Sequence, residues 1–95
     1  TGGGLGGNLP RVLPPDLGAV VRQGSWPVPR IFDEVQRAGN VTDEEMARVF
    51  NLGLGMVVAV SPSEVPAALA ALAGFGIEAV VVGEVVAGDH AVTTI

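Results

Sequence analysis

The chain has 95 residues and a formal net charge of −5, from ten acidic side chains and five arginines. This balance excludes a basic face for double-stranded nucleic acid, and the lack of cysteine excludes disulfides, thiolate catalysis and cysteine-ligated metals. With 48% hydrophobic and 16% charged residues, the sequence predicts one folded domain over residues 1–95, without a membrane-spanning segment. So few charges also indicate that apolar surface meets a partner or the rest of a longer chain. We expect a cytoplasmic location, because a cysteine-free sequence suits a reducing compartment.

The amino end is rich in glycine: five of residues 1–7 are glycine, and Asn8-Leu9-Pro10-Arg11 follows. Glycine leaves backbone N–H groups open to an anion, because no Cβ blocks the approach. Asn8 is typical of an N-cap, Pro10 fits a first helical turn near Asn8–Leu13, and Arg11 adds positive charge. Residues 1–16 therefore predict a loop that either binds phosphate at a helix start or forms a flexible tail.

A strand and two helices are predicted next. Leu17–Gln23 predicts the strand, and a helix begins at the Pro27–Pro29 pair, with Gly39 closing it in the left-handed conformation. Thr42–Glu45 is a capping box, in which the threonine hydroxyl accepts the glutamate N–H and the glutamate side chain reaches back. The second helix should run to about Phe50.

The second half predicts two buried strands joined by a helix. Met56–Val60 is apolar without alternation, and so is Ala79–Val82 within a strand predicted over Ile77–Val86, which is typical of strands covered on both faces. The joining helix can begin at Ser61 or at Ser63. Ser63 is preferred, because it places Pro66 among the first-turn positions whose N–H has no partner inside the helix.

The carboxyl end predicts a turn at Gly88-Asp89 and a short peripheral strand over Ala91–Ile95. The element order is then β–α–α–β–α–β–β. This order predicts an α/β (α+β) layered fold, with helices packed on a mixed β-sheet in an arrangement close to a split βαβ unit.

Several single residues carry alternative interpretations. Asn51–Gly55 lies between a helix and a strand, and forms either a tight turn or a wall that a ligand approaches closely. Arg48 lies one turn earlier and is expected to be a solvated surface charge. Trp26 either stacks on a ring or, as we prefer, anchors its loop on the core. Glu84 needs an arginine partner or faces a groove, with a buried structural pair preferred, and His90 has no neighbours suited to catalysis or metal binding.

Four segments, in this order, resemble the aminoimidazole ribonucleotide synthetase family. They are Thr1–Gly4 with Asn8–Pro14, Ser25–Phe32, Arg48–Met56 and Gly83–Gly88. The resemblance implies the last part of the C-terminal domain of an ATP-dependent enzyme that closes the imidazole ring in purine synthesis. It implies an N-terminal domain, assembled as a dimer, that holds most of the ATP and magnesium contacts.

On this resemblance we expect no catalytic or metal-ligating residue in the chain itself, and no activity from the chain alone. The expected partners are the N-terminal domain, a second copy of the parent and the ribonucleotide substrate, without nucleic acid or membrane. Two alternatives stay open: another member of the same ATP-binding superfamily, and a non-catalytic module that binds an anion or a protein. The candidate substrate- and phosphate-binding residues are Thr1, Gly2, Gly3, Gly4, Asn8, Arg11, Asn51, Gly53 and Gly55.

Overall fold

The computed structural model describes residues 2–95, and Thr1 lies outside the described residues. The helices and strands, in chain order, are α1 (Gly4–Asn8), β1 (Leu17–Val21), α2 (Arg30–Gly39), α3 (Asp43–Val49), α4 (Val65–Gly74), β2 (Gly83–Ala87) and β3 (Val92–Thr94). Short 3-10 turns at Leu9–Arg11 and Pro62–Glu64 follow α1 and precede α4.

The three strands form one sheet in the order β2-β1-β3. β2 runs antiparallel to β1, with Leu17 opposite Ala87 and Val21 opposite Gly83. β3 runs parallel to β1, with Ala19 opposite Val92. The sheet is therefore mixed and β3 lies at its edge, which confirms the predicted fold class and the peripheral position of the last strand.

Glu84 on β2 pairs with Arg22, which follows β1, at 3.1 Å between Oε1 and Nη2. The predicted arginine partner is confirmed, but the pair is not buried, because both side chains stay about half exposed. An exposed ion pair of this kind adds at most about 1 kcal/mol to stability. The pair thus aligns β1 and β2 more than it stabilises them.

The core is small and lies where the sheet meets the helices. Ala19 and Val21 of β1 are buried together with Trp26 and Met46. The rings of Phe32 and Phe50 meet edge-on with centroids 5.9 Å apart and join α2 to the end of α3. Burial is thus concentrated in the first half of the chain.

α2 ends one residue later than the sequence predicts. Asn40, with φ of 50°, adopts the left-handed conformation, whereas Gly39 is the last helical residue. Asparagine tolerates this conformation, and the Asn40 and Val41 amides donate to the carbonyls of Arg37 and Gln36. The glycine was predicted as the cap, but the asparagine takes that position.

The capping box of α3 is half formed. Thr42 Oγ1 accepts the N–H of Glu45 at 3.2 Å, as predicted. The Glu45 carboxylate does not reach back, because it accepts instead from the Arg48 guanidinium, with Nε to Oε2 at 3.0 Å. The helix ends at Val49, close to the predicted Phe50, and Arg48 is exposed as expected.

The Glu45–Arg48 pair has an effect on the pKa of Glu45 that can be measured. The hydrogen bond from Arg48 lowers the pKa of Glu45 below its ordinary value. Because the pKa is lowered on folding, the pair contributes stability above the unfolded pKa and loses it as pH falls through the folded one. In an Arg48→Met variant we expect the Glu45 pKa to rise back, as followed by carboxyl carbon NMR. Arg37→Met, which removes only the Asp33 pair, should leave the pKa of Glu45 unchanged. If the pKa of Glu45 does not rise in Arg48→Met, the Arg48 hydrogen bond is not its cause.

The first predicted buried strand is wrong for the described residues, and the second is only partly right. Met56–Val60 belongs to no strand, and all its residues are exposed. Of the strand predicted over Ile77–Val86, residues 83–86 lie in β2, whereas Ala79–Val82 is unpaired except at Val82. An apolar pattern does not by itself make a strand, because a strand needs hydrogen bonds to a neighbouring strand, and residues 2–95 supply none to Met56–Val60.

The start of α4 also differs from the preferred interpretation. Ser61 accepts the Glu64 N–H through its carbonyl at 2.9 Å and begins a 3-10 turn at Pro62, so Ser63 is not the cap. α4 itself begins at Val65, with Pro66 in its first turn. Both prolines thereby occupy positions whose missing N–H costs no intrahelical bond. The helix ends at Gly74, as predicted.

Candidate functional site

The glycine-rich segment folds into α1, earlier than the helical turn predicted at Asn8–Leu13. Gly3, with φ of 95°, and Gly4, with φ of 58°, turn the chain into this helix. Gly4 is buried against the end of α3: a Cβ on it would overlap the carbonyl oxygen of Ala47 and lie 2.9 Å from that of Phe50. Gly4 therefore packs this segment on α3, which favours a folded loop over a flexible tail.

The Asn8 side chain stabilises the conformation of the glycine-rich segment. Asn8 precedes the 3-10 turn, as an N-cap would, but its side chain accepts no capping hydrogen bond. Its Nδ2 instead donates to the carbonyl oxygens of Gly2 at 3.0 Å and Gly4 at 2.8 Å. Both amide hydrogens are thereby used, so only the Oδ1 acceptor remains for a ligand. Asn8 sets the shape of the loop.

His90 holds the other end of this segment to the sheet. Its Nε2 lies within hydrogen-bond distance of the carbonyl oxygens of Pro10 and Leu13, the latter at 3.0 Å. Because both partners are acceptors, Nε2 must carry the hydrogen. The sequence offered no signal for this contact, since the partners are 77 and 80 residues away.

The Asn51–Gly55 segment is a tight turn built on positive φ angles. Asn51 Oδ1 accepts the Gly53 N–H at 2.9 Å, and the Asn51 carbonyl accepts the Leu54 N–H at 3.1 Å. Leu52 and Gly53 have φ of 55° and 99°. Trp26, only 8% exposed, donates from Nε1 to the Leu52 carbonyl at 3.0 Å. The anchoring interpretation of the tryptophan is confirmed, and its target is this turn.

The glycine-rich segment and the turn meet at a cavity of about 170 Å³. Four of the predicted site residues line it: Gly4, Asn8, Asn51 and Gly55. The rest of the lining is apolar and comes from Leu5, Leu9, Val12, Leu54, Met56 and Val57. Because the two segments are more than 40 residues apart in the chain, only the fold brings these residues together.

The other predicted site residues lie outside this lining. Arg11 is exposed at the end of the 3-10 turn. Gly53 faces the Pro29 ring, where a Cβ would lie 2.5 Å from Cδ. Gly2 and Gly3 precede the lining residues directly, and the expectation for Thr1 falls outside the described residues.

A larger cavity of about 350 Å³ lies between α2, α3 and the Trp26 loop. Three of its polar side chains have partners: Gln36 Nε2 donates to Asp43 Oδ1 at 2.6 Å, and Asp33 pairs at 3.1 Å with Arg37, which lies outside the lining. Gln23, which also lines the cavity, is exposed. Among the described residues, no buried side-chain nitrogen or oxygen atom lacks a hydrogen-bond partner, so nothing in this cavity points to a ligand.

Neither a metal cluster nor a membrane span is found in the described part of the chain. No three histidine, aspartate or glutamate side chains of residues 2–95 are grouped so that they could hold a metal ion. No helix in the same residues is long and apolar enough to cross a bilayer.

A matched pair of glycine substitutions tests the turn. In Gly53→Ala, the positive φ and the overlap with Pro29 should destabilise the chain by about 1–3 kcal/mol. Gly55→Ala should change stability little, because nothing lies within 4 Å of its Cβ position. Urea unfolding followed by circular dichroism measures both. Equal midpoints for the two variants would show that the turn does not need a glycine at residue 53.

The sequence matches the family described as AIR synthase related protein, C-terminal domain, over residues 1–95.

The chain belongs to this family.

Several relatives of this AIR synthase C-terminal domain are named phosphoribosylformylglycinamidine cyclo-ligase. The protein from Thermoanaerobacter sp. (strain X514) is 47% identical over 92 residues, which are 97% of this chain and 27% of the relative. That from Anaeromyxobacter dehalogenans (strain 2CP-C) is 52% identical over 88 residues, which are 93% of this chain and 26% of the relative. That from Methylobacillus flagellatus is 57% identical over 76 residues, which are 80% of this chain and 22% of the relative. The chain thus spans about a quarter of the length of these relatives.

Proposed function

We propose that this domain is part of an ATP-dependent cyclo-ligase that converts formylglycinamidine ribonucleotide to aminoimidazole ribonucleotide in purine biosynthesis. The family membership and the relatives' names support the reaction. The shared cavity supports the role of this chain, because it unites the glycine-rich segment with the Asn51–Gly55 turn. On this proposal the two segments form one wall of the substrate groove.

In this proposal, a phosphate group of the ribonucleotide or of ATP is held by backbone N–H groups and by a side-chain amide. Glycines at residues 2–4 carry no side chain that would keep an anion away from their N–H groups, and first-turn amides of α1 have no acceptor inside the helix. Asn51 uses its Oδ1 on Gly53, which leaves its Nδ2 hydrogens for a ligand oxygen. Thr1 completes this donor set in the proposal. Such preorganised donors favour charge that develops on transferred or bound phosphate oxygens.

Asn8 and Arg11 are not assigned as direct phosphate ligands in this proposal. Asn8 fixes the loop through its two donated hydrogen bonds, so we assign it a positioning role. Arg11 is exposed beside the segment and contributes positive charge that attracts an anionic substrate in a chain of net charge −5.

ATP and magnesium are held mainly by the N-terminal domain of the parent, and a homodimer of the parent completes the enzyme. A cytoplasmic location stays a prediction from the cysteine-free sequence.

Phosphate titration tests the binding site. In the ¹⁵N-labelled chain, inorganic phosphate should shift the amide signals of residues 2–6 and the Asn51 side-chain amide. An equal ionic strength of chloride should not. Asn51→Ala should weaken the effect, and Asn40→Ala, an asparagine remote from the cavity lining, should leave it unchanged. Identical shifts with chloride would refute the phosphate site.

Activity tests the wider assignment. The purified 95-residue chain should not form aminoimidazole ribonucleotide from the formylglycinamidine precursor and ATP. The full-length parent should do so, with a raised KM for the ribonucleotide in an Asn51→Ala variant. Turnover by the chain alone, or an inactive full-length parent, would contradict the proposal.

A further inference from the structure

The segments Met56–Val60 and Ile77–Val82 are apolar except at Glu78, and most of their side chains are exposed. Met56 is 85%, Val58 is 63% and Val81 is 52% exposed. Runs of apolar residues without polar alternation are typical of strands that are covered on both faces. Their exposure here means that the cover is not supplied by the described residues.

The backbone of these segments is also unpaired. No described backbone group bonds to residues 56–60. In the second segment, bonds occur only at the ends, from Ile77 N–H to the Leu72 carbonyl and from Arg22 N–H to the Val82 carbonyl. Unpaired apolar strand edges are templates for an added strand.

The two segments belong to no strand in the described residues, but α4 joins them in the order of a β–α–β connection. Strands joined through such a helix run parallel when they share a sheet, and they are either neighbours or separated by another strand. Here they do not bond to each other. A strand between them would satisfy the inner edge of each segment, as in a split βαβ unit.

The size of the exposed surface agrees with a missing partner. The chain exposes 6646 Å². A folded chain of its mass, 9.6 kDa, is expected to expose about 5,100 Å². The excess of about 1,500 Å² exceeds the roughly 800 Å² that one partner buries in a standard interface. The radius of gyration of 14.2 Å is likewise above the roughly 12.4 Å expected for this length.

We propose that the unit formed by residues 56–82 takes an inserted β-strand from the remainder of the parent enzyme. We choose this occupant because about three quarters of the length of the relatives lies outside the match and can provide the strand. In a second copy of this chain, β2 and β3 are each paired with β1 and keep at most one free edge, whereas an inserted strand needs both edges free. The second copy otherwise offers only the same two unpaired segments. The proposal needs only the family membership and does not depend on the phosphate site.

Hydrogen exchange measured by mass spectrometry tests the insertion in the isolated chain and in the full-length parent. Amides of residues 57–60 and 78–81 should exchange rapidly in the isolated chain and at least about 100-fold more slowly in the parent. Ala19 and Val21 of β1 are the protected control, and Gly24 is the exposed one. Equally fast exchange in the parent would overturn the proposal. Protection that grows with concentration of the isolated chain would also overturn it, because a second copy would then be the occupant.

A pair of lysine substitutions adds a side-chain test. Val80 and Val35 are similarly exposed, at 46% and 41%. Neither Val80→Lys nor Val35→Lys should change exchange of β1 in the isolated chain. In the parent, Val80→Lys should restore fast exchange at residues 57–60, whereas Val35→Lys should not. Unchanged protection in the Val80→Lys parent would count against an inserted strand.

Discussion

Replacing Gly4 by alanine should unfold the amino-terminal half of the domain. The residue has a left-handed φ of 58°, and its Cβ would overlap the Ala47 carbonyl oxygen and lie 2.9 Å from the Phe50 carbonyl oxygen. Both obstacles are backbone atoms of the end of α3, so a rotamer change cannot remove them. We expect a loss of about 3–5 kcal/mol, from the unfavourable φ and from displacement of α1. That is a large fraction of the stability of a typical small domain, about 5–15 kcal/mol.

Gly6→Ala is the matched control, two residues further along the same helix. Nothing lies within 4 Å of its Cβ position, and its φ is not positive. Alanine in a helix is favoured over glycine by about 0.5–1 kcal/mol, so this variant should be slightly more stable. Urea midpoints by circular dichroism compare the two. A Gly4→Ala chain as stable as Gly6→Ala would mean that α1 does not pack on α3.

The same Gly4 substitution should remove phosphate binding if the glycine-rich segment is the binding site. In Gly4→Ala, the phosphate-dependent shifts of the remaining amides of residues 2–6 should disappear, whereas Gly6→Ala should keep them. Retained shifts in Gly4→Ala would show that the cavity geometry is not required for the anion.

Gly83→Ala should separate β2 from β1. Gly83 faces Val21 in the antiparallel register, and its Cβ would overlap the Val20 carbonyl oxygen and lie 3.1 Å from the Val21 Cα. Relief requires the two strands to move apart, which also strains the Arg22–Glu84 pair beside them. We expect destabilisation of more than about 3 kcal/mol, with fast exchange of the β1 amides that pair with β2.

Gly88→Ala is the control for this site. Its Cβ position has only the Gly18 nitrogen nearby, at 3.9 Å, so it should change stability by less than about 0.5 kcal/mol. Native-state hydrogen exchange measures the protection of the β1 amides in both variants, and urea unfolding measures their stability. Unaltered protection of β1 in Gly83→Ala would contradict the close approach of the strands.

Features that depend on a few neighbouring residues were predictable. The Thr42–Glu45 hydrogen bond, the first strand, the end of α4 and the mixed sheet follow from caps, periodicity and glycine positions. Four of the candidate site residues, Gly4, Asn8, Asn51 and Gly55, line one cavity, and their role in binding stays a prediction.

Features that depend on distant residues were decided only by the tertiary structure. His90 reaches the carbonyls of Pro10 and Leu13 across 80 and 77 residues, which no local pattern indicates. Nearby partners also competed: Asn8 donates to the carbonyls of Gly2 and Gly4, and Glu45 accepts from Arg48 instead of completing the capping box. Met56–Val60 shows the limit most clearly. Its composition makes it apolar, but hydrogen bonding to a neighbouring strand determines whether it is a strand at all, and such a neighbour is a property of the assembled fold.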